Sequence, residues 1–164
     1  FQCNQRTMQQ ILPELETFIG DLPLVAHNAP VERGCFRDTL AFYKLKSNIK
    51  YETIIDTLKI SKEVEQQLGI YETGEGTHTI DAVCRRFALK DKKHHFALDD
   101  AEMAGNLIFA FKHALETGKI EPIEIPEKID TPKETNVENC IEEKQDNNSP
   151  NEGGLFSFLK RLFN

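Results

Sequence analysis

The chain has 164 residues, enough for one domain of ordinary size, and its 39% hydrophobic and 29% charged content is a soluble globular mixture with a polar excess. A net charge of −7 argues against a duplex binder that works by charge alone, though not against a nuclease whose cations neutralise carboxylates and phosphates. No apolar run is long enough to span a bilayer and no signal-peptide pattern is visible, so no transmembrane segment is expected. Cys3, Cys35, Cys84 and Cys140 are far apart and lack zinc-site spacing, which reads as free thiols in a reducing, cytoplasmic setting.

Met8, Ile11, Leu12, Leu15, Phe18 and Ile19 recur with helical spacing and predict an amphipathic helix over 7–19, interrupted by Pro13 and ended by Gly20-Asp21. Leu22–Ala26 is a short apolar run bounded by turn residues, a buried strand that leads into His27-Asn28-Ala29-Pro30. Residues 31–45 return to a helical period with Cys35, Phe36, Leu40, Phe42 and Tyr43 apolar, and Thr53–Thr57 reads as a second buried strand. Helical patterns follow at 58–68 and 78–88, the latter with Ile80, Val83, Cys84 and Phe87 on one face. A last long helix is expected from Ala97 to Leu115, closed by Gly118.

The composition then shifts. Residues 119–152 hold ten acids against four bases, with prolines at 122, 126, 132 and 150. Such a segment buries too little apolar surface to offset the entropy of ordering. The expected organisation is therefore a folded domain over 1–118, a disordered acidic linker over 119–153 and an amphipathic docking peptide over 154–164. In that peptide Leu155, Phe158, Leu159 and Leu162 share a helical face, widened by Phe156 and Phe163. Three destinations stand open for it: a groove on a partner such as a polymerase or clamp, the chain's own domain, or a membrane surface.

The chemistry-bearing stretch is His94-His95-Phe96-Ala97-Leu98-Asp99-Asp100-Ala101-Glu102, which stands at the start of the last helix. A histidine titrates near ~6.5 and can move a proton at neutral pH, and carboxylates are hard-oxygen ligands that suit Mg²⁺ or Mn²⁺. Acids in a first helical turn also have an ordinary role, complementing the helix dipole. Lys90, Lys92 and Lys93 with Arg85 and Arg86 form the one local basic cluster, either a solvated loop or a contact for substrate phosphates.

Taken as an ordered series, strand–His27-Asn28-Ala29, strand–Asp56-Thr57, Ile80–Phe87 and His95-x-Ala97-x-x-Asp100-Ala101 resemble the DnaQ-like 3′–5′ exonucleases of the DEDDh group. That group includes the proofreading subunit of bacterial replicative polymerase, and the resemblance covers roughly residues 7–115. It implies an α/β, ribonuclease H-like fold and hydrolysis of phosphodiesters at single-stranded DNA or RNA 3′ ends with two bound Mg²⁺ or Mn²⁺ ions. It implies His95 as the general base and Asp100 as a metal ligand, with Glu32 at the position of a second ligand. His27 and Asn28 are then either structural or close to the substrate, Lys92 and Lys93 are candidate phosphate contacts, and His94 and Asp99 are neighbours.

This chain departs from the family pattern in two places. The middle motif normally reads His-Asn-x-x-Phe-Asp, and here Val31 and Glu32 take the last two positions. Glu keeps the charge but moves the carboxylate by about 1 Å, a displacement on the scale that can remove much of a rate. Glu32 is thus a working ligand or a degraded one. The first motif, Asp-x-Glu on an early strand, is absent. Glu14-Leu15-Glu16-Thr17 is no substitute, because its acids lie on the polar side of a helix, where they read as a solvated face. The first residue is Phe1, and the expectation is a C-terminal portion of the fold, missing its first strands and inactive by itself. The competing expectation is an exonuclease-like domain that binds nucleic acid or a replication partner without cutting.

Overall fold

The computed structural model describes residues 6–90 and 96–125. Within them the order is α1 (Met8–Ile19), β1 (Val25–Ala26), α2 (Pro30–Tyr43), a 3₁₀ turn (Tyr51–Thr53), β2 (Ile55–Asp56), α3 (Thr57–Leu68), α4 (Ile80–Arg86) and α5 (Ala97–Thr117). The architecture is mostly helical around a small parallel sheet, in which Val25 pairs with Ile55 and Ala26 with Asp56.

Local chemistry accounts for the boundaries. The Thr7 N–H donates to the Gln10 side chain at 2.8 Å, a reciprocal cap for the first turn of α1. The helix runs through Pro13 rather than breaking there, and the Thr17 hydroxyl donates to the Pro13 carbonyl at 2.9 Å. α2 starts on Pro30, whose missing N–H would be unpaired at that position in any case. Asp56 caps α3 by accepting from the Leu58 N–H at 3.1 Å. Gly69 and Gly118 end α3 and α5 in the left-handed conformation that favours glycine. Both strands are shorter than the apolar runs implied. Pro23 cannot donate to a ladder, and residues 51–53 are taken up by the 3₁₀ turn.

Two apolar cores result. The main one joins α3, α4 and α5 through Val64, Val83, Phe87, Leu107, Ile108 and Phe111, with Phe87 and Phe111 edge to face at a centroid distance of 4.8 Å. Ile80, Val83, Cys84 and Phe87 are all buried, as their spacing predicts. The smaller core holds Leu12, Leu40 and Ile49 between α1 and α2. Phe18 and Phe42, expected on apolar faces, are instead 83% and 79% exposed, because α1 and α2 cover each other only along one stripe. Cys35 is an exposed free thiol and Cys84 a buried one.

Glu14 and Glu16 part company. Glu14 pairs with Arg6 in solvent at 2.8 Å, the solvated face its spacing predicts. Glu16 is tied into the fold, accepting from the Ser47 hydroxyl at 2.9 Å and the Asn48 N–H at 2.7 Å, so it anchors the loop before β2. Residues 119–125, placed in the linker by composition, run along the main core, with Ile120 and Ile123 packed against it. The rest of the linker and the 154–164 peptide lie outside the described residues. No described helix is long and apolar enough to cross a membrane.

Candidate active site

β1 ends at Ala26, and the chain turns through His27 and Asn28 into α2. The crevice beyond the carboxyl end of a parallel strand is where α/β folds bind ligands. A pocket of about 430 Å³ opens there, walled by Ala26, His27, Glu32, Ala97, Asp100 and Ala104. Glu32 reaches it from the first turn of α2 and Asp100 from the first turn of α5. Two candidate ligands far apart in the chain thus share one cavity, each carboxylate at the positive end of a helix dipole. Asp99, one residue earlier, does not line it.

The His27 ring forms the wall next to Glu32. Its Nε2 lies 2.9 Å from the His78 carbonyl oxygen, which can only accept, so Nε2 carries the proton. Nδ1 lies 3.0 Å from the Thr57 hydroxyl, and Thr57 is fully buried. Burial pushes the His27 pKa below its ordinary value. The bond to the His78 carbonyl and the charges of Asp56 and Glu32 oppose that shift, and the charge of His78 adds to it. The neutral ring fits this setting, with Nδ1 beside the Thr57 hydroxyl, which also reaches the Ala26 carbonyl at 3.3 Å. The sign of the pH effect follows. Between the folded value and about 6.5 the unfolded chain binds more protons, so this stability is complete above about 6.5 and is lost as the pH falls toward the folded value. The urea midpoints of wild type and His27→Gln are therefore expected to converge between about pH 7.5 and about pH 5.5, and a constant gap would contradict the assignment.

Asn28 sits at φ 68°, a left-handed conformation that Asn tolerates better than most residues. Its N–H donates to Asp56 Oδ1 at 3.0 Å, the same oxygen that caps α3. Asp56, in the series by position alone, is thereby a structural knot between the ends of the two strands. Val31, where the family has Phe, is about half exposed.

His95, Lys92 and Lys93 lie outside the described residues, as does His94. Arg86 is not part of a basic surface. Its guanidinium pairs with the buried Glu65 at 2.5 Å and with Glu72 at 2.8 Å. The cluster expectation fails there because a cation beside a buried carboxylate is held by it. Arg85 and Lys90 are exposed.

Sequence reasoning missed Glu65 and His78, took Thr57 only as a motif position and read Arg86 as part of a basic cluster. Glu65 had a readable signal, since Ile60, Ser61, Val64, Glu65 and Leu68 share one helical face and a carboxylate on that face requires a partner. No such signal marks Thr57 or the His78 carbonyl, which meet His27 only in three dimensions.

A family model described as Exonuclease, of the RNase T type, matches residues 2–108. The chain belongs to the DnaQ-like exonuclease family of the ribonuclease H-like superfamily. Similar curated proteins are named DNA polymerase III PolC-type. The one from Halalkalibacterium halodurans is 34% identical over 105 residues (64% of this chain), and that from Streptococcus sanguinis is 31% identical over 108 (66%). The Thermotoga maritima protein is 27% identical over 127 residues (77% of this chain). This exonuclease-family chain spans only 7–8% of the length of these relatives. No solved structure matches it.

The family implies divalent cations. Among the described residues no group of three or more His, Cys, Asp or Glu side chains converges. Glu32 and Asp100 have the right chemistry for a hard cation, but two carboxylates are fewer than a two-cation centre needs.

Proposed function

We propose that this chain carries part of the reaction site of a 3′–5′ exonuclease that hydrolyses phosphodiester bonds at single-stranded DNA or RNA ends, in cytoplasmic replication or repair. The observation that carries this reading is Glu32 and Asp100 lining one pocket at the end of β1, within a chain of exonuclease-family sequence. Glu32 and Asp100 would hold Mg²⁺ or Mn²⁺. Such ions stabilise the attacking water and the leaving 3′ oxygen when bound.

The protein's own groups do the rest. His95, four residues before Asp99 and five before Asp100, takes the proton of the attacking water. Lys92 and Lys93 contact the phosphates of the incoming strand. His27, neutral and clamped at both nitrogens, walls the pocket without competing for that proton. Asn28 shapes the turn that presents α2, and through it Glu32, to the substrate. The 154–164 peptide attaches the domain to a polymerase or clamp.

The described sheet has two strands, of which β1 pairs with β2. A two-stranded sheet is marginal by itself, and a free strand edge accepts a further strand. In this reading a strand bearing Asp-x-Glu on the free edge of β1 completes the cation site.

The test follows a 5′-labelled single-stranded oligonucleotide in Mg²⁺ or Mn²⁺. The 164-residue chain is expected to shorten it slowly or not at all, and a β1-pairing Asp-x-Glu strand, supplied as an N-terminal extension, to restore stepwise shortening. Processive degradation by the 164-residue chain removes the need for that strand. No shortening by either protein sinks the exonuclease reading.

A further inference from the structure

We propose that Arg86, with Glu65, Glu72 and His78, is a positioning device for the carboxylate pocket, holding residues 72–79 in the one arrangement in which the His78 carbonyl can accept from His27. The reading of that pocket as the reacting site is taken over from the proposed function, but neither the geometry nor the test depends on turnover.

The device begins in the core. Glu65 is fully buried on the inner face of α3, beside Val64. Arg86, at the end of α4, is 13% exposed. Its Nη1 donates to Glu65 Oε1 at 2.5 Å, and its Nη2 donates to Glu72 Oε2 at 2.8 Å and to the Thr77 carbonyl at 3.0 Å. A single planar guanidinium thus grips both ends of the 72–77 stretch and moors it to α3.

The stretch needs that mooring. Gly74 sits at φ 138° and Gly76 at φ 77°, and glycine has little intrinsic preference to hold either conformation. His78 adds two further restraints. Its Nε2 donates to the Glu72 carbonyl at 3.1 Å, and its ring stacks on Tyr71 at a centroid distance of 5.3 Å. The His78 Nδ1 faces Glu65 Oε2 at 3.6 Å.

The restrained residue is the one whose carbonyl holds His27. That ring borders two cavities. One is the pocket of Glu32 and Asp100. The other is an open cavity of about 440 Å³ bounded by Asn28, Lys62, Gly74, Gly76 and His78. With the His78 carbonyl in place the ring is clamped from two directions, by Thr57 and by the loop. Without it only Thr57 remains, and the ring has neighbouring open space into which to turn.

Arg86→Lys separates charge from geometry. Lysine keeps a cation beside Glu65 but is a point charge on a flexible stem and cannot reproduce the fixed fork toward Glu65, Glu72 and Thr77. The experiment follows the His27 Nε2–H by ¹H–¹⁵N NMR in the 164-residue chain, with circular dichroism to establish that the variant is folded. The expected result is a protected ring proton in wild type and loss of that resonance through solvent exchange in folded Arg86→Lys. If Arg86→Lys does not fold, His78→Ala decides by the same reading, because it keeps the Glu65–Arg86 pair and removes the ring's contacts with Glu72, Tyr71 and Glu65 Oε2. A ring proton that stays protected in the folded variant overturns the proposal. Loss of the resonance alongside no shortening by either the 164-residue chain or its Asp-x-Glu-extended form would sink the exonuclease reading and leave this device standing.

Discussion

Arg86→Ala is expected to destabilise the domain by roughly 3–5 kcal/mol, the cost of leaving a buried charge without its partner. Glu65 has no solvent exposure, and its shortest contact is with the Arg86 guanidinium. Removing Arg86 leaves a carboxylate with no solvent exposure, with only the more distant His78 ring on its other oxygen. The same substitution frees Glu72 and the Thr77 carbonyl. Domains of this size have about 5–15 kcal/mol in total, so the loss is a large fraction. At about 4–8 °C per kcal/mol the thermal midpoint should fall by tens of degrees. The control is Arg85→Ala, one residue away and exposed, which should stay within about 0.5 kcal/mol of wild type. Equal midpoints for the two variants would show that the buried pair contributes nothing.

Asp100→Asn carries the largest expected effect on chemistry. Asn keeps the shape of the side chain and removes the charge, so the pocket loses one of its two carboxylates with little change in packing. Mn²⁺ binding to the 164-residue chain, followed by titration calorimetry, should weaken at least about tenfold, the consequence of roughly 1.4 kcal/mol of lost ion pairing. In a form with nuclease activity, turnover should fall by about 10²–10³-fold, as when a preorganised electrostatic contact is removed. Asp99→Asn is the matched comparison. Asp99 stands in the same helical turn but off the pocket, so both quantities should stay within about twofold, the small effect of a dipole-complementing acid. Equal effects at 99 and 100 would remove Asp100 from the ligand set.

Much of this arrangement was legible along the chain, for reasons of local physics. Apolar periodicity located the five helices of the described residues, because each turns one stripe toward a core. Glycines 20 and 118 marked helix ends, because those positions require positive φ. The order of motifs carried the family, and Asp100 and Glu32 were read from that order. What the order could not supply was their meeting. It depends on β1 pairing with β2 and on α5 packing across β1, long-range contacts with no local signature.

The departures have equally specific causes. Pro13 did not break α1, Phe18 and Phe42 did not go inside, and Ile120 and Ile123 found a core that their acidic surroundings gave no reason to expect. Arg86 shows the limit most plainly. In sequence it stands beside Arg85 and near three lysines, and it reads as one more charge of a basic loop. Periodicity decides which face of a helix is buried, and so the chain alone determines the helices, the main core, the family and the candidate ligands. It does not decide which partner a buried charge will meet. Only the packing of α3 and α4 on α5 sets Arg86 on Glu65, and only that contact places the His78 carbonyl against His27.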